Sequence, residues 1–455
     1  MLLLALPALA ETLTFQPGED WCSAAKAAVP GDTIVLAAGE HAGPCVLSAG
    51  GTAVAPVTLR GDDAGGASIT YAGSSSNVLD VTASHVWIED LSFGPTHADI
   101  DAIKVKAGDH VQVRGNTFSG VGGISVSANS ASTTGLQIVG NAFTDLQATA
   151  LYLGCHGGAA SCVAADVLVA ENFVDGVTSS AVGYALEIKA DSWGVVRDNV
   201  FADAQGPAVE VFGSEDAAAT TTVVGNLFLR SRSSATLEVG GPNVVVRNNV
   251  VIGGAGAALY VYPYFDAVHD VLIEGNTLYG EAVAALSVHA AATGVLVRDN
   301  AAAQDGGGTF AALPAGVDLH ANAVCESASE CWRDAASGDF RPVEAWRGTG
   351  VTTAGLSQDF CGLERTDPPT PGAFDDPERG PTALGVAPKA ELGCPDLPAE
   401  QPRLYLRRRL LPGGKNACEQ RSTFVEASRC RAPRARIAPL GFQPARPNWV
   451  SRRRC

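Results

Sequence analysis

Three short segments of the sequence place a glutamate at the same position of an alternating pattern. The segments are ALEIK (185–189), AVEVF (208–212) and TLEVG (236–240), and in each of them aliphatic residues alternate with residues that face outward. Carboxylates stacked in this way repel each other unless one is protonated, a Lys intervenes or a divalent cation such as Ca²⁺ is held. We therefore predict a Ca²⁺ site whose ligands are Glu187, Glu210, Glu238 and Asp191.

Lys189 follows Glu187 by two residues and brings an amine to these carboxylates. An amine in this position could remove the proton next to the carboxylate of a uronic acid, provided that the substrate charge is neutralised. Neighbouring carboxylates would raise the pKa of the amine unless a metal cancels them, so this scheme requires the cation. The leaving oxygen needs a proton donor, and Tyr260 and His289 occupy the related segments ALYVY and ALSVH. Lys189, Tyr260 and His289 are the predicted catalytic residues.

Several aromatic rings belong to the same segments or to loops beside them. Tyrosine offers a flat apolar face with a polar rim, which suits stacking on sugar rings. The predicted substrate-binding residues are Tyr152, Tyr184, Tyr262, Tyr264 and His156. His156 lies in an extra loop, GCHGGAASC (154–162), and insertions in repeat proteins often mark the binding face. The competing interpretation is a solvated sheet face whose charges only keep the protein soluble.

Stacking of the alternating segments predicts two columns of outward side chains, with successive members about 4.8 Å apart. The first column is predicted as Lys104, Ser125, Tyr152, Glu187, Glu210, Glu238, Tyr260 and Ser287. The second is predicted as Lys106, Ser127, Gly154, Lys189, Phe212, Gly240, Tyr262 and His289.

A repeated motif built around an asparagine supplies the elements that hold these columns. VRGNTF (113–118), VRDNVF (196–201) and IEGNTL (273–278) are three copies of it. The repeat positions are Asp62, Leu91, Asn116, Asn141, Asn172, Asn199, Asn226, Asn249, Asn276 and Asn300, at steps of 23 to 31 residues. The positions five and three before the repeat position, and two after it, are mostly apolar, which indicates short strands that share one buried face.

A unit of this length cannot close its own core and must stack on its neighbours. Asparagine tolerates the backbone of a tight corner, and stacked amides can bond one another from turn to turn. Leucine-rich repeats have a similar period, but their L-x-x-L-x-L frame is absent. The sequence predicts an all-β fold: a single-stranded right-handed parallel β-helix of about ten turns, with an irregular C-terminal wrap and a disordered basic tail.

Charge is divided unevenly along the chain, which carries −17 overall. Residues 401–455 hold 14 Lys and Arg against 2 Asp and Glu, so residues 1–400 carry −29. Such an acidic body would repel nucleic acid, and we expect no nucleic-acid partner. No stretch has the length of about 18 apolar residues that a membrane span needs.

Eleven cysteines and the first residues indicate an exported protein. The spacings fit disulfides between Cys22 and Cys45, Cys155 and Cys162, Cys325 and Cys331, and Cys361 and Cys394, which form in oxidising compartments. MLLLALPALA (1–10) is typical of the remnant of a signal peptide cleaved before Glu11. We expect a secreted or cell-surface monomer with the β-helix at 11–310, the wrap at 311–400 and the tail at 401–455.

The tail holds thirteen Arg and six Pro without apolar periodicity. Such a composition cannot bury enough apolar surface to offset the entropy of ordering, which predicts disorder. The tail could tether the protein to an anionic surface. Alternatively, the reading frame shifts near residue 400, since out-of-frame GC-rich genes yield such sequence.

GDTIVLAAGEHAG (31–43) and PVTLRGDD (56–63) resemble the first turns of secreted β-helix proteins of the pectate-lyase-like superfamily. ALEIKADSWGVVRDNVFADAQGPAVEVFG (185–213) resembles the core of its chondroitinase-B-like group, which includes alginate lyases. The resemblance implies a catalytic base at Lys189 and a metal-binding acid at Glu187. Val211 and Phe212 occupy the place where that group has an Arg-His pair.

Two functions from different classes follow. The first is a Ca²⁺-dependent lyase or epimerase that acts on acidic polysaccharide of the polyuronide type. The second is a non-catalytic extracellular protein that binds glycans or has a structural role. The missing Arg favours the second, and the clustering of Glu, Lys and Tyr favours the first; the fold alone cannot decide between them.

Overall fold

The computed structural model describes residues 9–395, except 64, 157–160, 180–182, 234, 281–283, 305–312 and 354. The predicted signal peptide lies outside these residues except for its last two positions, and the predicted basic tail lies outside them entirely. No helix in the described part of the chain is long and apolar enough to cross a membrane.

Three parallel sheets, whose strands follow one another in turn along the chain, build the fold. Sheet 1 has 13 strands: Thr12–Phe15, Thr33–Leu36, Val57–Gly61, Val86–Glu89, Gln112–Arg114, Gln137–Val139, Val167–Ala170, Gly194–Arg197, Thr221–Val224, Val244–Arg247, Val271–Glu274, Val295–Arg298 and Val317–His320. Sheet 2 has 12 strands: Gly39–Ala42, Ala67–Thr70, Ser92–Phe93, Thr117–Ser119, Ala142–Leu146, Phe173–Val177, Val200–Ala204, Leu227–Leu229, Val250–Ile252, Thr277–Gly280, Ala301–Gln304 and Ala323–Cys325. Sheet 3 has 10 strands: Cys45–Leu47, Leu79–Val81, Ile103–Val105, Val126–Ala128, Leu151–Leu153, Leu186–Ile188, Val209–Val211, Ala235–Val239, Ala257–Val261 and Leu286–Val288.

This arrangement is the predicted parallel β-helix, with about twelve turns rather than ten. The two counts differ because strands outside the asparagine repeat also join the stack. Thr12–Phe15 pairs with Thr33–Leu36 at one end, and Val317–His320 pairs with Val295–Arg298 at the other. The strands therefore continue to Cys325, past the predicted boundary at residue 310.

The asparagine repeat forms a continuous ladder of amides from Asn116 to Asn322, buried at every position except the partly exposed Asn322. At each step the amide Nδ2 and the backbone N–H of one asparagine donate to the Oδ1 of the next. For Asn199 and Asn226 both distances are 2.9 Å. The same Nδ2 donates to the carbonyl oxygen of Val169 at 2.9 Å. The predicted register is confirmed, and Leu91 contributes only its N–H, which donates to Asn116.

The left-handed backbone of each corner belongs to the residue before the asparagine, not to the asparagine itself as expected. Asp198 has φ 58°, Gly225 has φ 67° and Asn248 has φ 52°. Gly, Asn and Asp adopt this region at the lowest cost, which explains why they precede the ladder residue so often. The ladder asparagine is retained for its amide bonds.

Stacked side chains fill the core between the three sheets. Phe93, Phe118 and Phe143 stack with ring centroids 5.1 and 4.6 Å apart, and Phe201 stacks on Phe228 at 5.4 Å. These are the predicted positions two residues after the repeat position, and all are fully buried. The short helix Trp21–Ala27 packs against the first turns, where it buries Trp21 and Ala25 in the same core.

The irregular segment after Cys325 covers the outer face of sheet 2. Its helices are Ala328–Cys331, Ala335–Ser337, Glu344–Trp346 and Lys389–Glu391, and its strands Trp332–Asp334 and Asp339–Pro342 form an antiparallel pair. Trp332, Phe340, Phe360 and Phe374 pack there against outward aliphatic residues of sheet 2. Lys389 fixes the end of the segment through a contact of 2.6 Å between its Nζ and Asp198 Oδ1.

All four predicted disulfides are present. They join Cys22 to Cys45, Cys155 to Cys162, Cys325 to Cys331, and Cys361 to Cys394. A small additional parallel pair, Thr133–Thr134 with Ala164–Ala165, lies next to the extra loop.

Candidate functional site

The outer face of sheet 3 carries the predicted column of carboxylates. Tyr152, Glu187, Glu210, Glu238, Tyr260 and Ser287 pair as direct neighbours on six successive strands. The register predicted for Ser125 is wrong, since Ser127 pairs with both Lys104 and Tyr152. Asn116 precedes Ser127 by the same number of residues as Asn141 precedes Tyr152, so the distance from the ladder sets the column.

Lys189 and Glu187 form a buried ion pair. The Nζ of Lys189 lies 2.7 Å from Glu187 Oε1, and the two side chains are 3% and 2% exposed. The ammonium also lies over two rings, 4.8 Å from the centroid of Tyr152 and 4.4 Å from that of Phe212. The amine predicted as a base is thus enclosed by one carboxylate and two aromatic faces.

A tyrosine hydroxyl links the other two carboxylates. Tyr262 donates to Glu210 Oε1 at 2.6 Å, and its oxygen lies 3.1 Å from Glu238 Oε2. Tyr184 forms a further hydrogen bond to Glu210. We call the buried group of Glu187, Lys189, Glu210 and Glu238 the acid network.

Burial changes the proton affinity of the acid network. It raises the pKa of Glu187 to about 7, against the lowering influence of Lys189. It also raises the pKa of Glu210, although the hydrogen bond from Tyr262 opposes the change. Burial and the bond to Glu210 together raise the pKa of the Tyr262 phenol, so this hydroxyl remains a donor.

Aromatic side chains form the surface above this network. Tyr260 stacks on Tyr262 with centroids 4.8 Å apart and planes 7° apart. Tyr264 is 50% exposed and meets Phe212 edge to face at 5.0 Å. We call Tyr152, Tyr184, Tyr260, Tyr262 and Tyr264 the tyrosine strip.

Two loops meet beside the tyrosine strip. His156, next to the disulfide of the extra loop, contacts Phe265 at 5.6 Å between ring centroids. Gly154 at the start of this loop has φ +94°, and a Cβ there would lie 2.2 Å from Ser192 Oγ. The position therefore requires glycine. Phe265 was not predicted, because it lies outside every alternating segment and no pattern indicates it.

Two of the predicted residues lie apart from the acid network. Asp191 occupies a corner, where its Oδ1 accepts a hydrogen bond from Ser214 Oγ at 3.1 Å. His289 is exposed, and its Nδ1 accepts from the N–H of Ala291 at 3.1 Å. The structure therefore assembles Lys189, the three glutamates and the tyrosines, while Asp191 and His289 have other local partners. The catalytic and binding roles of all these residues stay predictions.

The carboxylates do not fit a calcium ion as they are arranged. Among the described residues, no three Asp, Glu, His or Cys side chains are placed to hold a metal. The acid network instead directs its oxygens to Lys189 and Tyr262. Calcium binding would require these donors to be displaced, and it stays a prediction from the sequence.

Comparison with known proteins agrees with the fold. A family model described as "Right handed beta helix region" matches residues 167–323. Pectate lyase Pel9A superposes with a TM-score of 0.53 at 12% identity, over 81% of this chain and 97% of that one. The chain has the pectate-lyase-like right-handed parallel β-helix fold, as predicted.

Two further structures are similar at lower TM-scores. They are an alginate lyase from Paenibacillus sp. (TM-score 0.41, 19% identity, 68% of this chain and 95% of that one) and the A-module of the Azotobacter vinelandii mannuronan C-5 epimerase AlgE6 (0.43, 15%, 67% and 93%). No curated protein sequence is significantly similar to this chain.

Proposed function

We propose that this chain is a secreted protein that binds polysaccharide on the tyrosine strip. The observation that carries the proposal is the arrangement of Tyr260, Tyr262 and Tyr264 as a partly exposed aromatic surface within one turn, at the end of the strand Ala257–Val261 and in the loop after it. Such rings stack on sugar faces while their hydroxyl groups bond sugar hydroxyls. The four disulfides support secretion, because these bonds persist in oxidising compartments.

The state of Lys189 favours binding over catalysis. A base must reach the proton that it removes, within hydrogen-bond distance or through one water. Lys189 is 3% exposed, and its ammonium is held by Glu187. Val211 and Phe212 stand where the resembling lyases have an Arg-His pair, and Phe212 covers the ammonium.

We expect the wild-type protein to migrate more slowly in a native gel that contains a bound soluble polysaccharide than in a gel without polysaccharide. Replacement of Tyr264 by Ala removes an exposed ring without disturbing the core, and we expect about fivefold weaker binding, as for the loss of one aromatic stack. Tyr71→Ala is the control, since Tyr71 is a partly exposed tyrosine on a distant turn. Migration unchanged in every polysaccharide tested, or equal effects of both substitutions, would contradict the proposal.

A lyase or epimerase acting on acidic polysaccharide is the second candidate. The alignment of the Lys189–Glu187 pair with Glu210 and Glu238 supports it, because perturbed carboxylates beside an amine are common in active sites. In this candidate the Lys189 ammonium first gives a proton to the Glu187 carboxylate, and the neutral amine then removes the proton next to the uronate carboxylate. Tyr260 or His289 then protonates the leaving oxygen.

This second candidate predicts unsaturated products, with their ultraviolet absorbance, when the protein is incubated with polyuronides and Ca²⁺. Lys189→Met should abolish the absorbance, whereas Tyr71→Ala should not change it. Calorimetry with Ca²⁺ on wild type and on Glu210→Gln tests the metal separately, because only binding that is lost in the variant supports a site in the acid network. An epimerase would escape the absorbance assay and needs proton-exchange measurement at the carbon next to the carboxylate.

A further inference from the structure

The surroundings of the tyrosine strip carry one Lys or Arg and many carboxylates. The described segments 150–156, 183–191, 208–216, 235–243, 257–270 and 284–290 contain a single Lys or Arg, which is Lys189. They contain eight acidic residues: Glu187, Asp191, Glu210, Glu215, Asp216, Glu238, Asp266 and Asp270. Because the ammonium of Lys189 is buried and paired, no Lys or Arg within these segments is available to a ligand at the surface.

The carboxylates at the edge of the strip pair with no Lys or Arg of the described chain. We call Asp191, Glu215, Asp216, Asp266 and Asp270 the acidic rim. No Lys or Arg of the described chain pairs with any of them, and only His269 bridges two, lying 3.0 Å from Glu215 and 2.8 Å from Asp270. Asp266 follows Tyr264 closely in the loop, and its partial burial, together with the nearby charges of Glu215 and Asp191, raises its pKa.

The spacing of these charges indicates which kind of cation they would accept. A calcium ion needs six to eight oxygens at about 2.3–2.6 Å around one point. Among the described residues no three such side chains are placed to hold a metal, and the rim carboxylates come from three turns of the stack. Successive turns lie about 4.8 Å apart, so the rim suits several positive charges spread along a polymer.

The interior of the acid network also favours a positively charged group over an anion. Glu187 and the rings of Tyr152 and Phe212 already hold an ammonium group, that of Lys189. The second carboxylate oxygen of Glu187 is buried and has no hydrogen-bond donor among the described residues. A polyanionic chain laid on this face would find acceptors where it needs donors, and like charges would repel it.

We propose that the tyrosine strip and acidic rim bind a glycan with free amino groups, such as a polymer of unacetylated amino sugars. This inference rests on the proposed polysaccharide-binding function and adds the charge class of the ligand. The tyrosine rings contact the sugar faces, and the ammonium groups pair with Asp266, Glu215 and their neighbours. An ammonium over a tyrosine face gains further from the ring quadrupole.

The test is calorimetry of the full chain with oligosaccharides of equal length. The ligands are a glucosamine oligomer, its fully N-acetylated form, and a uronate oligomer with chelator or with Ca²⁺. We expect the glucosamine oligomer to bind most tightly and to weaken as salt is added, because salt screens exposed charges. Asp266→Asn should weaken this ligand about threefold and leave the acetylated oligomer unchanged. Glu40→Gln, an exposed acidic change on a distant turn, is the matched control.

A lysine oligomer of the same charge separates sugar recognition from attraction of any polycation by an acidic protein. Tyr264→Ala should weaken the glucosamine oligomer about fivefold and leave the lysine oligomer unchanged. Tighter binding of the uronate oligomer, equal binding of the two glucosamine forms, or equal effects of Tyr264→Ala on both polycations would overturn the inference and leave polysaccharide binding in place. Absence of binding to every glycan would overturn the proposed function as well.

Discussion

Replacement of Lys189 by Met should lower the free energy of unfolding by about 3–5 kcal/mol at pH 8, the usual cost of removing one partner of a buried ion pair. The substitution leaves the Glu187 carboxyl group, which is 2% exposed, without the ammonium that lies 2.7 Å from it, so the carboxyl must stay ionised and unpaired or take up a proton at a pH where the unfolded chain is ionised. Methionine retains most of the volume between Tyr152 and Phe212, so the loss reports charge rather than a cavity. Urea unfolding followed by tryptophan fluorescence measures it.

The pH dependence of this loss distinguishes a charge effect from a packing effect. The pKa of Glu187 is raised from 4.5 to about 7 in the folded protein, so the folded state holds this proton more tightly than the unfolded chain. The contribution of Glu187 to stability is therefore complete below about pH 4.5 and is lost as the pH rises towards 7. Without Lys189 the pKa rises further, so the variant should lose little at pH 5 and its full amount at pH 8.

A double variant is the matched control. Glu187→Gln combined with Lys189→Met removes both charges and should recover most of the stability at pH 8, because a buried pair replaced by neutral groups is often nearly neutral in energy. It should also flatten the pH profile. A loss of equal size at pH 5 and pH 8 would show that packing, not the unpaired carboxylate, governs the variant.

The fold can be predicted from the sequence alone because successive turns repeat a similar residue pattern. The ladder asparagine, an aliphatic pair before it and an apolar residue after it recur at most corners. This pattern predicts that Glu187, Glu210 and Glu238 are neighbours, and they pair on adjacent strands in the structure. Even the misplaced Ser125 follows this logic, since counting from Asn116 gives the correct residue, Ser127.

The contacts within the site were not predictable in the same way. Tyr262 reaches Glu210 across two turns and from one column to the other, which depends on side-chain length and rotamer rather than on period. The burial of Lys189 depends on the rings of Tyr152 and Phe212, and on loops that have no repeat. Periodicity predicts which residues share a face, and the loops decide which of them reach solvent.

The burial of Lys189 distinguishes between the two functional candidates. Stacked carboxylates on a sheet face would favour an enzyme if the Lys189 ammonium were exposed to a substrate. Once the ammonium is enclosed by Glu187 and two rings, the face presented to a ligand consists of tyrosines and of carboxylates that pair with no Lys or Arg of the described chain. The surface proposed to bind a polymer shares Tyr152, Tyr184 and Tyr262 with the buried network, so only substitutions of Tyr264 or of the acidic rim should leave the network largely unchanged.

Replacement of Asn199 by Leu should lower the free energy of unfolding by about 3 kcal/mol or more. The substitution removes the Oδ1 that accepts from both the N–H and the Nδ2 of Asn172, each at 2.9 Å. It also removes the donor to the carbonyl oxygen of Val169. Asn199 is fully buried, so no water replaces these partners, and each unsatisfied buried group costs about 1–3 kcal/mol.

Asn322 provides the control because it performs the same task at the end of the ladder. Its Oδ1 accepts from the N–H and Nδ2 of Asn300 at 3.0 Å, but the site is only partly buried. Water can satisfy part of what Asn322→Leu removes, so its loss should be less than half of that for Asn199→Leu in the same urea titration. Equal losses at the two positions would mean that the side-chain change itself, and not the interrupted ladder, sets the cost. A larger loss of unfolding free energy for Asn199→Leu would show that the amide ladder, whose asparagines recur in the sequence about once per turn, also stabilises the turns on which Glu187 and Glu210 lie.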